Sequence, residues 1–115
     1  MPALIYKICH REDWSAAEAA GVYAGSPKDH EDGFIHFSTA GQLAGTLARY
    51  YADADTLVLV AVTGAALGEA LRYEPSRDGA LFPHLYAPLP LTAVVWSETI
   101  TRGTDGVFVL PPACV

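Results

Sequence analysis

Two short strings place polar residues of useful chemistry between apolar neighbours. In Phe34-Ile35-His36-Phe37-Ser38-Thr39 the imidazole of His36 alternates with Ile35 and Phe37. Successive side chains on a strand point to opposite faces. With Ile35 and Phe37 in the core, His36 shares the other face with Phe34 and Ser38. Thr39 and Gln42 spell a capping box at the start of the following helix. An imidazole, two hydroxyls and the N–H groups of a helix start then gather within one turn of chain, a place that can hold a phosphate or another anion. The second string is Phe82-Pro83-His84-Leu85-Tyr86. Its proline stiffens the backbone and its apolar residues anchor His84, with Tyr86 two residues on and on the same face.

Further candidates flank Pro75-Ser76. Arg77 can clamp a phosphate or carboxylate through two N–H groups, and Glu74 can orient a ribose hydroxyl or act as a base. Tyr6 and Lys7 lie on the first strand, where Lys7 facing outward turns Tyr6 inward. His10 and His30 sit in charged loops and read as solvated. No HExxH, HxxxH or CxxC spacing supports a metal site, and no GxSxG elbow surrounds a serine. Neither GxGxxG nor GxxxxGK[ST] is present.

The elements that must position these residues follow from periodicity and turn residues. Leu4–Cys9 reads as a strand and Trp14–Ala20 as a short helix closed by Gly21, with Trp14 and Ala17 on its packed face. Residues 23–33 read as an exposed charged loop, and Phe34–Phe37 as a short strand. A second helix runs from the Thr39 cap to about Tyr51 with Leu43 and Leu47 inward. Thr56–Thr63 is apolar on both faces and predicts a central strand. Leu71–Glu74 predicts an edge strand, 82–86 an extended loop, and Thr92–Ser97 and Val107–Leu110 two final strands. The order β-α-β-α followed by strands predicts a single α+β domain over residues 1–115, with a strongly bent or split, mainly antiparallel sheet.

Composition bounds the function classes. The chain has 115 residues, a formal charge of −6 and 51% apolar residues, enough for an independent core. Thirteen Asp and Glu against seven Lys and Arg leave no basic stripe, so DNA is not an expected partner and anionic membranes are not attracted. A small phosphorylated ligand is compatible, since local groups override global charge. Cys9 and Cys114 do not make a disulfide framework and read as thiols in a reducing compartment. The N-terminus carries no leader pattern, and a cytoplasmic location is expected.

The quoted strings, with Ile5-Tyr6-Lys7-Ile8, Trp14, Gln42, Leu89-Pro90 and Asp105-Gly106-Val107-Phe108-Val109-Leu110-Pro111, resemble the DUF952 family of small bacterial proteins. Lys7 stands where many members carry His, and Ala87 where Gly is usual. The family's fold resembles that of the ADP-ribosyltransferases, including the tRNA 2′-phosphotransferases, which bind NAD in a cleft between two small sheets. The resemblance implies a cleft lined by Tyr6 or Lys7, by His36 with Ser38 and Thr39, and by His84 or Arg77, with Tyr86 or Tyr6 against a ring of the ligand. It implies NAD or another phosphorylated ligand, no metal, and transfer of ADP-ribose with Glu74 steadying the sugar. A module that kept the fold and binds a small anion, nucleotide or protein without turnover is the alternative. Self-association through Trp96 and the last strand is left open.

Overall fold

The computed structural model describes residues 4–76 and 79–112; Arg77 and Cys114, singled out above, lie outside them. Leu4–Cys9 forms β1, which pairs antiparallel with β4 (Thr56–Thr63), itself paired antiparallel with β8 (Val94–Thr101). β4 is central in this sheet, as its two apolar faces require. Val58, Val60 and Val62 face one core with Ile5, Cys9, Trp14 and Ala17. Leu57, Leu59 and Ala61 face another with Tyr6, Ile8, Leu43 and Leu47. The first core is covered by α1 (Arg11–Ala20) and the second by α3 (Leu43–Tyr50).

A second sheet is built from β3 (Ile35–His36), β6 (Leu81–Leu85) and β5 (Leu71–Pro75), in the order β3-β6-β5 and antiparallel throughout. β2 (Val22–Tyr23) pairs with β7 (Leu89–Pro90). The split sheet and α+β layout agree with the expectation from element order. The segment 35–38 joins the halves. His36 pairs with His84 on β6, whereas Ser38 exchanges both backbone hydrogen bonds with Tyr6 on β1, each at 2.8 Å. A strand that changes partner within three residues leaves a concave space where the two sheets diverge.

Four expectations need correction. The loop 23–33 contains β2 and a further helix, α2 (Pro27–Asp32). Ser26 caps α2, its hydroxyl accepting from the Asp29 N–H at 3.2 Å, while the Asp29 carboxylate accepts from the Ser26 N–H at 2.8 Å. Pro27 stands at the first helical position, where its missing N–H costs nothing. Ser26 and Pro27, read as part of that loop, therefore start a helix. The extended loop 82–86 is instead mostly strand β6, with Pro83 inside it. β3 is only two residues long, so β6 beyond His84 has no strand partner on that side, and a residue without an N–H is tolerated there. The Pro83 carbonyl accepts from the Phe37 N–H at 2.9 Å. Leu91–Ala93 is a 3-10 turn, and the strand expected at Thr92–Ser97 starts at Val94 and continues to Thr101. The strand expected at Val107–Leu110 reduces to a single bridge between Arg102 and Phe108.

Gly33 closes α2 at φ 87°, its N–H donating to the Asp29 carbonyl at 2.9 Å. A Cβ there would meet nothing within 4 Å, so the cost of substitution is conformational alone. Gly33→Ala is expected to lower stability by about 1–2 kcal/mol through the left-handed backbone. A urea melt checks this; an unchanged midpoint would mean that the turn relaxes.

Candidate functional site

The site starts from a buried charge. Ile5, Lys7 and Cys9 share the α1-side face of β1, so the Lys7 ammonium enters an apolar layer and is 4% exposed. A charge in such a place persists only with a partner. That partner is Asp29 on α2, 3% exposed, with Lys7 Nζ 3.0 Å from Oδ2 and 3.2 Å from Oδ1. The same carboxylate accepts from the His36 backbone N–H at 3.1 Å and meets His36 Nδ1 at 2.6 Å. Burial alone would raise the Asp29 pKa. The His36 ring, the Lys7 charge and the Ser26 N–H outweigh it and hold the carboxyl well below the usual carboxylate range.

His36 is held from its other side as well, with Nε2 2.9 Å from Asp32 Oδ2, itself 3.6 Å from Lys28 Nζ. Each ring nitrogen of His36 therefore faces a carboxylate. The doubly protonated ring donates to both, whereas a neutral ring donates from one nitrogen only.

His84 has a different environment. It lies on β6, opposite His36 on one neighbour and Arg72 on the other. Its ring stacks on Phe34 with centroids 4.0 Å apart and meets the His36 ring edge-on at 5.6 Å. Nδ1 lies 2.9 Å from Glu74 Oε1, and the Tyr86 hydroxyl donates to the same oxygen at 2.7 Å. These two donors, Tyr86 first, lower the Glu74 pKa, and the bond to Glu74 raises that of Tyr86. Arg72 lies over the Tyr86 ring at 5.0 Å.

Between the two sheets lies a cavity of about 740 Å³. β1 contributes Tyr6, Lys7 and Ile8; α2 contributes Lys28, Asp29 and Asp32; His36, Phe37 and Ser38 follow from β3. α3 and the residue after it add Thr46, Tyr50 and Tyr51, and β6 adds Phe82 and His84. Glu12 and Asp13, from the first turn of α1, stand with His10 along another part of the wall. The volume suits a nucleotide-sized ligand.

Of the candidates from sequence, Tyr6, Lys7, His36, Ser38 and His84 line this one space. Ser38 shares a hydrogen bond of 3.1 Å with Thr46. Thr39, Glu74 and Tyr86 do not line it. The Thr39 N–H donates to Gln42 Oε1 at 3.0 Å and the Gln42 N–H to the Thr39 carbonyl, so neither N–H is available to an anion. Glu74 stands behind His84, and Tyr86 borders a smaller hollow with Phe34 and Ala87. His10 and His30 are exposed as expected, although His10 reaches the cavity wall. Burial pushes the Cys9 thiol up to about 12, which leaves it without nucleophilic character near neutral pH. Among the described residues, no group of three or more His, Cys, Asp or Glu is arranged to hold a metal ion, and no helix is long and apolar enough to cross a membrane.

Sequence reasoning missed Asp29, Asp32 and the stacking role of Phe34. A signal for Asp29 was present: Ser26-Pro27-Lys28-Asp29 is a capping-box spacing with proline at the first helical position.

The split-sheet α+β layout around this cavity belongs to a recognised class. Residues 8–97 match the model of DUF952, described as a protein of unknown function, and the chain belongs to that family. A crystal structure of protein CC0527 from Caulobacter crescentus is 44% identical, covers 96% of this chain and 97% of its own, and superposes with a TM-score of 0.90. A solution NMR structure of CC0527 is 46% identical, with 90% of each chain covered and a TM-score of 0.82. No curated protein matches the chain.

Proposed function

We propose that the space between the two sheets is a binding cleft for NAD or a closely related phosphorylated nucleotide, and that the fold is a small relative of the ADP-ribosyltransferases. One observation carries the reading: Lys7 from β1, His36 and Ser38 from the segment that starts with β3, and His84 from β6 line a single cavity of about 740 Å³ together with Tyr6, Tyr50 and Tyr51. Groups that serve one small ligand must be positioned together. The tyrosine rings offer faces for an aromatic base. Lys28 and Ser38 offer donors to phosphate or ribose oxygens, and the His36 ring, held between Asp29 and Asp32, shapes the wall beside them. Glu12, Asp13 and Asp32 suit the positive charge of an oxidised nicotinamide ring. Transfer of ADP-ribose needs orientation and charge stabilisation above all, which such a constellation supplies without a metal.

Calorimetric titration with NAD and with ADP-ribose tests the reading. Saturable binding is expected, weakened about tenfold or more by His36→Ala, which corresponds to about 1.4 kcal/mol. Absence of binding to either ligand at millimolar concentration would overturn it. A non-catalytic nucleotide-binding module is the second reading, and the placement of Glu74 behind His84 rather than in the cavity favours it. Binding of NAD without release of nicotinamide would establish that alternative.

A further inference from the structure

We infer that His84 is the proton acceptor of the cleft, set in that role by Glu74, and that the second substrate it serves is a hydroxyl compound or water. The inference rests on the cleft reading above and assigns its two histidines opposite tasks. His36 has both ring nitrogens against carboxylates, Asp29 at 2.6 Å and Asp32 at 2.9 Å, so neither is left open to a substrate hydroxyl. His84 has one that is. A carboxylate only accepts, so Nδ1 carries the hydrogen donated to Glu74, and the lone pair of the neutral ring sits on Nε2.

Nε2 has no hydrogen-bond partner among the described residues. It is not sealed in the core either: of the buried side-chain nitrogens and oxygens among those residues, only the Tyr23 hydroxyl lacks a partner. His84 lines the cavity, where we place the free nitrogen. The ring cannot swing away. Phe34 stacks on one face at 4.0 Å, the His36 ring meets it edge-on, and the backbone is paired on both sides by β3 and β5. Glu74 is fixed in turn by the Tyr86 hydroxyl, and Arg72 lies over the Tyr86 ring. A base held in one tautomer by a carboxylate, with its other nitrogen on a cavity, is the arrangement general-base catalysis requires.

In the transfer, the acceptor hydroxyl gives its proton to His84 Nε2. Its oxygen electron pair forms the new C–O bond at the anomeric carbon of the ADP-ribosyl group. The C–N bond to nicotinamide breaks and its electron pair leaves with the ring nitrogen, which neutralises the pyridinium. Glu74 is a positioning residue here and touches no substrate.

Long-range ¹H–¹⁵N NMR of the free protein reads the tautomer directly. The neutral His84 ring is expected as Nδ1–H in the wild type, with that preference lost in Glu74→Gln. Nicotinamide release from NAD, with water or glycerol as acceptor, is expected to fall about 10²–10⁴-fold in His84→Gln. The loss of rate should exceed any loss of NAD affinity by about tenfold or more, and free imidazole should restore part of the rate. A wild-type ring protonated at Nε2, or release from His84→Gln at the wild-type rate, would overturn the inference. A merely structural histidine would show neither imidazole rescue nor a rate loss separated from binding. Failure of the wild type to bind NAD would overturn the ligand assignment and the acceptor chemistry with it. The tautomer, read without ligand, is decided separately.

Discussion

Asp29→Ala is expected to destabilise the protein by roughly 3–5 kcal/mol, because it strands the buried Lys7 ammonium without a counter-charge. The carboxylate is the hub of the network: Lys7, the Ser26 N–H, the His36 N–H and the His36 ring all converge on it. Its loss also removes one arm of the α2 capping box. Lys7→Met is expected to cost less, since methionine fits the apolar face of β1 and Asp29 keeps the Ser26 and His36 contacts. The double variant Lys7→Met/Asp29→Ala should be more stable than Asp29→Ala alone. Urea unfolding of the four proteins tests this, and a Lys7→Met loss equal to the Asp29→Ala loss would contradict it. The pH dependence has a defined sign. The folded-state pKa of Asp29 lies below its unfolded value, so its stabilisation is fully present above the unfolded pKa of about 3.9 and declines as pH falls below it. The acid branch of the stability curve should flatten in Asp29→Ala.

Arg102→Ala is expected to cost about 3 kcal/mol, far more than a typical residue just beyond a strand. Its guanidinium donates to the Ala54, Tyr51, Ala52 and Gly106 carbonyls at 2.7, 2.8, 2.7 and 2.6 Å and lies over the Phe108 ring at 4.5 Å. It thereby satisfies carbonyls in the turn that leaves α3 and ties that turn to the 103–108 loop. Hydrogen bonds from a charged donor contribute about 1.5–3 kcal/mol each, and several sharing one side chain are not additive. Arg102→Lys should recover less than half of the loss, because an ammonium cannot reach carbonyls spread around a planar fork. Thermal unfolding of the two variants measures this. A Lys variant as stable as wild type would show that charge alone, rather than the fork, holds the turn.

These two residues mark the boundary of what the sequence made legible. His36, Ser38 and His84 were readable because they alternate with Ile35, Phe37 and Leu85, and alternation on a strand fixes which side chains share a face. The central place of β4 followed from its unbroken apolar run. Lys7, read from the sequence as facing outward, is instead buried on the Ile5–Cys9 face, and nothing nearby in the chain points to the anion that it needs there. Asp29 supplies it from 22 residues away, in a segment whose charge content resembled a solvated loop. Arg102 carried no local signal, since its partners on the α3 exit are about 50 residues distant. Glu74 was recognised as a candidate, yet its task depended on pairing between β5 and β6, which turned it toward His84 instead of the cavity. The capping box at Thr39 was anticipated in its Gln42 arm, and that bond engages the Thr39 N–H that an anion would need.

NAD is proposed to occupy the space where the two sheets diverge. Backbone amide NMR of the uniformly ¹⁵N-labelled chain, titrated with NAD, tests it most directly. Saturable shifts are expected, concentrated at Tyr6–Ile8, Lys28–Asp32, His36–Ser38, Phe82 and His84, with β8 and the 103–108 loop unaffected. Shifts confined to the outer face of β8, or none at millimolar NAD, would contradict it.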